Sequence, residues 1–361
     1  MRSMTDIMDQ HTYDQKLLFS IYLKGAHVCP PRCARIALRV GDMLRRFAVA
    51  ACLCLMAWPS AAQKCPARPM TIVAPSAAGG LSDIIARLVA SKAAPRLGGS
   101  IIVENKPGAS GAIGGATVMH APADGCTILL ANGTSHGVLP ALDKTLAYDP
   151  IKSFAPIVRV GETQLALITS RRLPVKNAQE LLAYARAHPG KLSYGTFGHA
   201  SAGHLFGEVL KKHNGVDIVH VPYKGEAAAV QALMAGEIEL AIVVSAKPYV
   251  ERGLVTLIGT TSPEQGAAYP GWPTLASQSV AGFSLARGFQ ALLAPAATPQ
   301  AVVDGLAAAF SKVIADPDLR RQLIDLGVDP ATERPQDFPA MYRALVEQWR
   351  LLVGEAGVSV E

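Results

Sequence analysis

Short apolar runs and amphipathic runs of helical period alternate along most of the chain. Met70–Ala74 is a largely apolar run of strand length, and residues 82–97 after it carry apolar side chains at helical spacing. The alternation continues with a β-rich run at 100–104, a run of small residues at 112–121 and an apolar run at 126–131. This order predicts a βαβαβ unit whose strands lie parallel in one doubly wound sheet.

A second unit of the same kind is predicted further along the chain. We expect strands at 155–160, 164–170, 192–195, 216–221, 239–244 and 289–294. We expect helices at 177–188, 201–212, 226–235, 299–315, 317–326 and 335–352. Two units joined by a long connection predict a mixed α/β protein with two lobes, each a mostly parallel sheet flanked by helices. The first lobe is expected to comprise 65–163 and 289–361, with the C-terminal helices packed on it, and the second lobe 164–288.

The N-terminal part of the chain has the pattern of an export signal. Two arginines precede an apolar run at 47–58 that is too short to span a bilayer, and small residues follow it. This pattern predicts a signal peptide at 43–62, cleaved after Ala62, and export to the periplasm. Residues 1–42 carry no clear pattern, and we interpret them as a non-native extension upstream of a true start at Met43.

Once the predicted signal peptide and the residues before it are excluded, the charge and the cysteine content restrict the partners and metal sites that we expect. The net charge of the whole chain is +6, but the first 62 residues hold eight of its 34 basic and four of its 28 acidic residues, which leaves +2. That balance does not favour nucleic acid or a membrane surface as a partner. Cys65 and Cys126 remain as an even pair in an oxidising compartment, so a disulfide between them is an open expectation. Neither C-x-x-C nor H-x-x-x-H spacing occurs after the leader, so we predict no metal site, and we expect no cofactor.

Three loops carry candidate binding chemistry, and the first of them follows Met70–Ala74. Gly79 and Gly80 lie between this strand and the helix at 82–97. Backbone N–H groups at a helix N-terminus point outward, with the positive end of the helix dipole behind them. Such a turn binds anions, although an ordinary tight turn would use the same residues. The glycine spacing matches neither a dinucleotide fingerprint nor a P-loop, so the turn does not imply phosphate binding.

The second and third loops also connect a strand to a helix start. In the second loop, Thr196 and Ser201 supply hydroxyl groups and the nearby glycines supply N–H donors. In the third loop, Tyr223 and Lys224 place an aromatic face and a cation beside a helix start, although Lys224 would serve equally as a solvated loop residue. Two helix N-termini that face each other across a cleft would hold a dianionic small molecule with few charged side chains.

An enzymatic alternative depends on Ser201. The residues around it match a G-x-S-x-G nucleophile elbow, except that His199 replaces the first glycine. A triad in the order Ser, Asp, His would have to use Asp217 and His220, which are too close in sequence to fit well. His204 is expected to cap or pack a helix, whereas His199 would become charged at little cost beside a carboxylate. A secreted serine hydrolase is therefore the minor alternative.

Several short motifs occur in an order that resembles one family. They read Arg-Pro-Met-Thr-Ile-Val at 68–73, Ala-Gly-Gly-Leu-Ser-Asp at 78–83, Val-Glu-Asn-Lys-Pro-Gly-Ala at 103–109, Ala-Pro-Ala-Asp-Gly at 121–125, Tyr-Asp-Pro at 148–150 and Val-Pro-Tyr-Lys-Gly at 221–225. In this order the chain beyond the leader resembles the Bug-type periplasmic solute-binding receptors of tripartite tricarboxylate transporters. The resemblance implies a two-lobed Venus-flytrap protein without enzymatic activity. Such a protein closes on a small carboxylate solute and delivers it to the membrane permease subunits of the transporter.

In this family the first two loops described above hold the ligand, largely through backbone amides and ordered waters. Together with the loops at 132–136 and 221–225, which also follow predicted strands, these two loops give an expected ligand-binding set of Ser76, Ala77, Ala78, Gly79, Gly80, Asp83, Ser135, Thr196, Phe197, Gly198, His199, Ser201, Tyr223 and Lys224. Asp83 is expected to hold the first turn by capping, and Thr196 and Ser201 to donate hydrogen bonds. Tyr223 or Phe197 is expected to cover the carbon skeleton of the solute.

Several departures from the family pattern leave the solute open, and two of them fall in the expected ligand-binding set. Ser76 and Ala77 stand where a Phe-Pro pair is common, and His199 stands where small or amide residues are typical. A receptor that reports its solute to a signalling kinase would share the same motifs, so solute sensing is a second interpretation. In either role we expect the mature chain to be a monomer.

Overall fold

The computed structural model describes residues 69–283 and 287–357. The predicted signal peptide and N-terminal extension lie outside this range, as does Cys65, the expected disulfide partner of Cys126. Cys126 itself is disulfide-bonded. Within the described range, none of the helices combines the length and the apolar character needed to cross a membrane.

Strands and helices alternate along the described chain, as the apolar pattern predicts. In chain order they are β1 Met70–Ala74, α1 Leu81–Leu97, β2 Ile101–Asn105, α2 Ala112–Met119, β3 Thr127–Asn132, α3 Leu139–Leu142, β4 Phe154–Thr163, β5 Ala166–Thr169, α4 Ala178–Ala187, β6 Leu192–Thr196, α5 Ala202–Asn214, β7 Ile218–Pro222, α6 Glu226–Ala235, β8 Leu240–Val243, α7 Lys247–Glu251, β9 Thr256–Thr260, β10 Gly288–Pro295, α8 Gln300–Ile314, α9 Pro317–Asp325, β11 Val328–Pro330 and α10 Phe338–Ala356. Helix α4 shows how local sequence sets a boundary, because the Asn177 side chain accepts a hydrogen bond from the Glu180 N–H group at 2.9 Å.

The strands form two sheets flanked by helices, which confirms the mixed α/β class. One sheet has six strands in the order β11-β4-β10-β3-β1-β2, and the other has five in the order β7-β6-β8-β5-β9. The chain leaves the first sheet after Thr163, joins the second at Ala166 and returns to the first at Gly288. The division into two lobes with boundaries near these residues stays a prediction.

The expectation that each sheet is mostly parallel is wrong. Parallel pairing is confined to β2-β1-β3 in one sheet and β7-β6-β8 in the other, and the remaining pairs are antiparallel. Parallel neighbours need a crossover connection, usually a helix, on one face of the sheet. Among the residues that the structure describes, no α-helix lies between β4 and β5 or between β9 and β10, the two connections by which the chain passes from one sheet to the other.

The C-terminal helix α10 packs on elements of both sheets, not only on the first one as expected. Trp349 is fully buried, and its ring lies 5.7 Å from that of Phe206 in α5. The same side chain packs against Gly133 and Gly137. A Cβ added to Gly133 would lie 2.9 Å from the Trp349 ring. Trp349 Nε1 also donates to the Arg287 carbonyl oxygen at 3.2 Å. One aromatic residue thus joins the loop after β3, helix α5 and the return segment before β10.

Candidate functional site

The turn between β1 and α1 is closed by its own backbone and by one buried carboxylate. The Gly80 N–H group donates to the Ala77 carbonyl oxygen at 3.1 Å. Gly79 has φ +80°, a conformation that favours glycine, and its N–H group donates to Asp83 Oδ2 at 2.8 Å. Asp83 is buried, so its carboxylate fixes the turn instead of facing solvent, as its predicted capping role requires.

Two further groups hold the Asp83 carboxylate in place. Arg87 Nε lies 2.9 Å from Asp83 Oδ1, and Asn105 Nδ2 donates to the same oxygen at 3.0 Å. Burial alone would raise the pKa of Asp83, but the hydrogen bonds from Gly79, Arg87 and Asn105 outweigh it and lower the pKa. The group is therefore ionised at neutral pH. Asn105 also donates to the Ser76 carbonyl oxygen at 3.1 Å, so both ends of the turn are tied.

This arrangement leaves backbone donors unused at the start of α1. Among the residues that the structure describes, the N–H groups of Ala78, Leu81 and Ser82 donate to no protein acceptor. Ala78 and Gly79 are exposed, and the 17-residue helix α1 directs the positive end of its dipole to this turn. Ser76 Oγ is buried and also lacks a hydrogen-bond partner within the described range. The turn can therefore accept an anionic oxygen, as helix N-termini commonly do.

The two hydroxyl groups of the loop between β6 and α5 already have hydrogen-bond partners within the protein. Thr196 Oγ1 lies 2.8 Å from His220 Nε2 and 3.2 Å from the Gly198 carbonyl oxygen. Ser201 Oγ donates to that same carbonyl at 2.7 Å and accepts the His204 N–H group at 3.2 Å, as the N-cap of α5. Both hydroxyl residues are buried. Their predicted donation to a ligand stays a prediction, since in this structure they bond to the loop backbone, to the first turn of α5 and, for Thr196, to His220 on β7.

The third loop is tied to the second by a backbone hydrogen bond. The Tyr223 N–H group donates to the Thr196 carbonyl oxygen at 2.9 Å. The Tyr223 ring is partly buried and lies over Gly195, where an added Cβ would be 3.1 Å from Cε2. Phe197 is also partly buried, and Lys224 is exposed with no hydrogen bond or ion pair to any described residue. The aromatic rings border the second loop, and the lysine stays available beside it.

Three histidines meet at the second loop. The rings of His204 and His220 stack with centroids 4.1 Å apart, and the His199 ring stands nearly perpendicular to them at 5.6 and 5.2 Å. Burial, reinforced by the two neighbouring imidazoles, lowers the pKa of His220 to about 3, and burial also lowers the pKa of His204. From the sequence, only His199 was predicted to contact a ligand, whereas His204 was expected to cap or pack a helix and His220 was considered only as a member of a triad. The parallel register that pairs His220 with Tyr194 brings the third ring to the site.

The loop after β3 is a π-helical turn, Thr134–Val138, that holds the remaining predicted residue. Ser135 is fully buried, and its Oγ lies 3.0 Å from His136 Nδ1 and 3.2 Å from the Asn132 backbone nitrogen. The Tyr148 hydroxyl donates to the Ser135 carbonyl oxygen at 2.5 Å. The Ser135 side chain is therefore committed to this turn, and its contact with a ligand stays a prediction.

Two hydrogen bonds join the second loop to segments of the six-stranded sheet. Ser110 Oγ donates to the His199 carbonyl oxygen at 3.0 Å, and the Ala202 N–H group donates to Thr134 Oγ1 at 3.2 Å. Neither Ser110 nor Thr134 was predicted. Ser110 and His199 are 89 residues apart in sequence, and a serine in a glycine-rich loop gives no local signal of such a contact.

The same region reaches the end of β1. Gly111 follows Ser110, and a Cβ added to it would lie 2.8 Å from Ser135 Cβ and 3.3 Å from Pro75 Cβ. Pro75 is the first residue of the turn that contains Gly79. The loops that follow β1, β3 and β6 therefore converge, which is where ligands bind in open α/β sheets.

Solved structures with the same fold include a periplasmic binding protein and two proteins that were solved with small dicarboxylates. The periplasmic binding protein BugD is 33% identical with a TM-score of 0.74, over 82% of this chain and 100% of that one. The R. palustris protein Rpa4515, solved with adipate, is 30% identical with a TM-score of 0.75, over 81% of this chain and 99% of that one. MatC from Rhodopseudomonas palustris, solved with bound malate, is 30% identical with a TM-score of 0.72, over 80% and 99%.

The fold and the converging loops thus define a binding protein of the periplasmic type. Residues 85–358 match the family described as tripartite tricarboxylate transporter family receptor. The chain belongs to this family, and the resemblance to Bug-type receptors is confirmed. The family consists of solute-binding receptors that work in the periplasm.

Proposed function

We propose that this protein is a periplasmic receptor that captures a small dicarboxylate between the Gly79 turn and the loop at 196–201. The observation that carries the proposal is the set of unused N–H donors on Ala78, Leu81 and Ser82, at the N-terminus of α1 and beside the convergence of three loops. Family membership supports the receptor role. Two solved relatives were found with adipate and malate, which are both dicarboxylates.

Neutral donors explain how an anion can be held with few cations. One carboxylate would accept the N–H groups of the Gly79 turn, where Asp83 fixes the backbone without blocking it. The other would face the loop between β6 and α5, beside His199 and Lys224. Closure is then favoured because only the closed state offers both sets of donors to one solute.

We also propose that the protein does not act as a serine hydrolase. Within the described range, the Ser201 hydroxyl bonds only to backbone groups. We further propose that the chain is exported by the signal peptide at 43–62, works as a monomer and passes its solute to the permease subunits of a tripartite transporter. Deleting the permease genes should abolish receptor-dependent uptake of the solute. Unchanged receptor-dependent uptake would contradict delivery to these subunits, and the absence of any receptor-dependent uptake in the parent strain would favour a sensing role.

A thermal-shift screen of mono-, di- and tricarboxylates tests the binding role. A ligand at a hundred times its Kd adds about 2.7 kcal/mol to the free energy of unfolding, which such a screen detects. The expected result is a shift with a dicarboxylate. A shift with the mono- or tricarboxylates and with no dicarboxylate would contradict the proposal.

A matched pair of glycine variants tests the location of the site. Gly79 and Gly271 are both exposed, have φ of +80° and +79°, and offer open space to an added Cβ. Alanine should therefore strain both positions equally. We expect Gly79→Ala to weaken dicarboxylate binding about tenfold or more, and Gly271→Ala to bind like the wild type. Equal affinities in the two variants would remove the Gly79 turn from the site.

A further inference from the structure

The three histidines at the second loop have the composition of a metal site. One ring nitrogen of each of His199, His204 and His220 lies within 4.8 Å of those of the other two. His199 is exposed, and the other two are half-buried, so the group is open to solvent on one side. Imidazole nitrogens bind Zn²⁺ at about 2.0–2.1 Å, which in a tetrahedral site places ligand atoms roughly 3.3 Å apart. To share one ion, the three nitrogens would have to approach one another by up to about 1.5 Å.

The protein fixes each ring from a different element. His220 lies on β7, paired in register with Tyr194 of β6, and His204 lies in the first turn of α5. His199 belongs to the loop between these elements, whose backbone is tied to Ser110. Three ligands held by a strand, a helix and a loop form a preorganised set, because no single flexible segment carries all of them.

Two of the rings also have partners that orient them. His220 Nε2 lies 2.8 Å from Thr196 Oγ1, and His204 Nδ1 accepts the Ala200 N–H group at 3.3 Å. Each of these rings keeps its second nitrogen without a protein partner in the described part of the chain. Metal-binding histidines typically donate their other ring N–H group to an outer partner. The Thr196 hydroxyl can accept such a hydrogen bond from His220 Nε2, since it donates to the Gly198 carbonyl oxygen. His204 would have to release its contact with the Ala200 N–H group on binding an ion, because a ring nitrogen that accepts leaves the proton on the other nitrogen. The nearby Glu208 carboxylate already accepts hydrogen bonds from Lys211 at 2.9 Å and from the Tyr194 hydroxyl at 2.8 Å.

We propose that His199, His204 and His220 bind one divalent transition-metal ion of the Zn²⁺, Ni²⁺ or Cu²⁺ class at the edge of the loop between β6 and α5. All-nitrogen ligand sets suit these ions rather than Ca²⁺ or Mg²⁺, which prefer oxygen. Three protein ligands leave at least one coordination position for water or a carboxylate oxygen.

Calorimetric titration of Zn²⁺ into the tag-free, chelator-treated protein tests the proposal. We expect one ion per chain, and a Kd at least tenfold weaker in His199→Ala, a substitution at an exposed position that should not affect folding. The matched control is His213→Ala, because His213 is an exposed histidine on the same helix α5 and lies outside the cluster. This variant should bind like the wild type.

Spectroscopy separates a metal site from surface association. Co²⁺ bound to three imidazoles should give visible absorption bands that are lost in His199→Ala and in His204→Gln, with thermal unfolding of the metal-free variants used to verify their folding. The absence of stoichiometric Zn²⁺ binding would overturn the proposal. Binding that survives His199→Ala, or that is lost equally in His213→Ala, would overturn it as well. Because no carboxylate is added, failure of this test is distinct from failure of the receptor role.

Discussion

Two arginine–carboxylate pairs in this protein have the same bidentate geometry, but one is buried and the other is exposed. We therefore expect the loss of the two pairs to lower the free energy of unfolding by very different amounts. Arg159 Nε and Nη2 donate to the two oxygens of Glu333 at 2.7 and 2.8 Å. Arg334 Nε and Nη2 donate to the two oxygens of Asp337 at 2.8 and 3.0 Å. The side chains of the first pair are 13% and 9% exposed, and those of the second pair are 71% and 43% exposed.

The substitution Arg159→Met removes the guanidinium and leaves the Glu333 carboxylate buried without its partner. Such a loss costs about 3–5 kcal/mol, because the remaining charge stays desolvated. Two hydrogen bonds to charged groups, at about 1.5–3 kcal/mol each, give the same range. The substitution Arg334→Met removes an exposed pair, for which the cost is about 0.2–1 kcal/mol.

Urea denaturation at neutral pH measures both free energies of unfolding. The two variants should differ by about 2 kcal/mol or more in the free energy of unfolding, and most of the loss should be recovered when Arg159→Met is combined with Glu333→Leu. The pKa of Glu333 is lowered: burial would raise it, but the bonds from Arg159 outweigh burial. The pair therefore stabilises the protein above the ordinary glutamate pKa, and its contribution fades as the pH falls through the lowered value. Equal costs for the two single variants would refute the reasoning.

Two other predictions concern groups buried in the described core. Burial lowers the pKa of His136 to about 3, so the ring is neutral in the folded protein and gains a proton near pH 6.5 when unfolded. Protonation of this residue in the unfolded state should therefore lower the free energy of unfolding by about 2 kcal/mol between pH 7 and 5. Urea denaturation of His136→Phe at several pH values should lack this part of the pH dependence. An unchanged pH dependence would contradict a neutral His136 in the folded protein. Gly207→Ala should cost about 1–3 kcal/mol, because its Cβ would overlap the buried Tyr194 ring. Gly354→Ala, in a helix with open space around it, should be neutral or stabilising in the same assay.

Local patterns were sufficient for most of the fold. The apolar run at Met70–Ala74 and the helical spacing after it predicted β1 and α1, and Asn177 predicted the start of α4. The pairing direction of the strands was not predictable in this way. Whether β4 and β10 run parallel to their neighbours depends on where the chain changes sheets, and no window of a few residues contains that information.

The candidate site shows the same limit. The double glycine and Asp83 lie within one turn, so their arrangement could be inferred from sequence. The histidine group could not, because its members follow no metal-ligand spacing and meet only through the pairing of β6 with β7. The three-residue strand β11 was also missed, since Val328–Pro330 is too short to give an alternating pattern.

Calorimetric titration of a dicarboxylate into the mature protein, unfolded and refolded to remove any retained solute, tests the central claim most directly. The account predicts one solute per chain, with affinity weakened in Gly79→Ala and kept in Gly271→Ala. The absence of binding heat with every dicarboxylate tried, in protein that refolds to its native thermal stability, would contradict the claim that this receptor captures dicarboxylates.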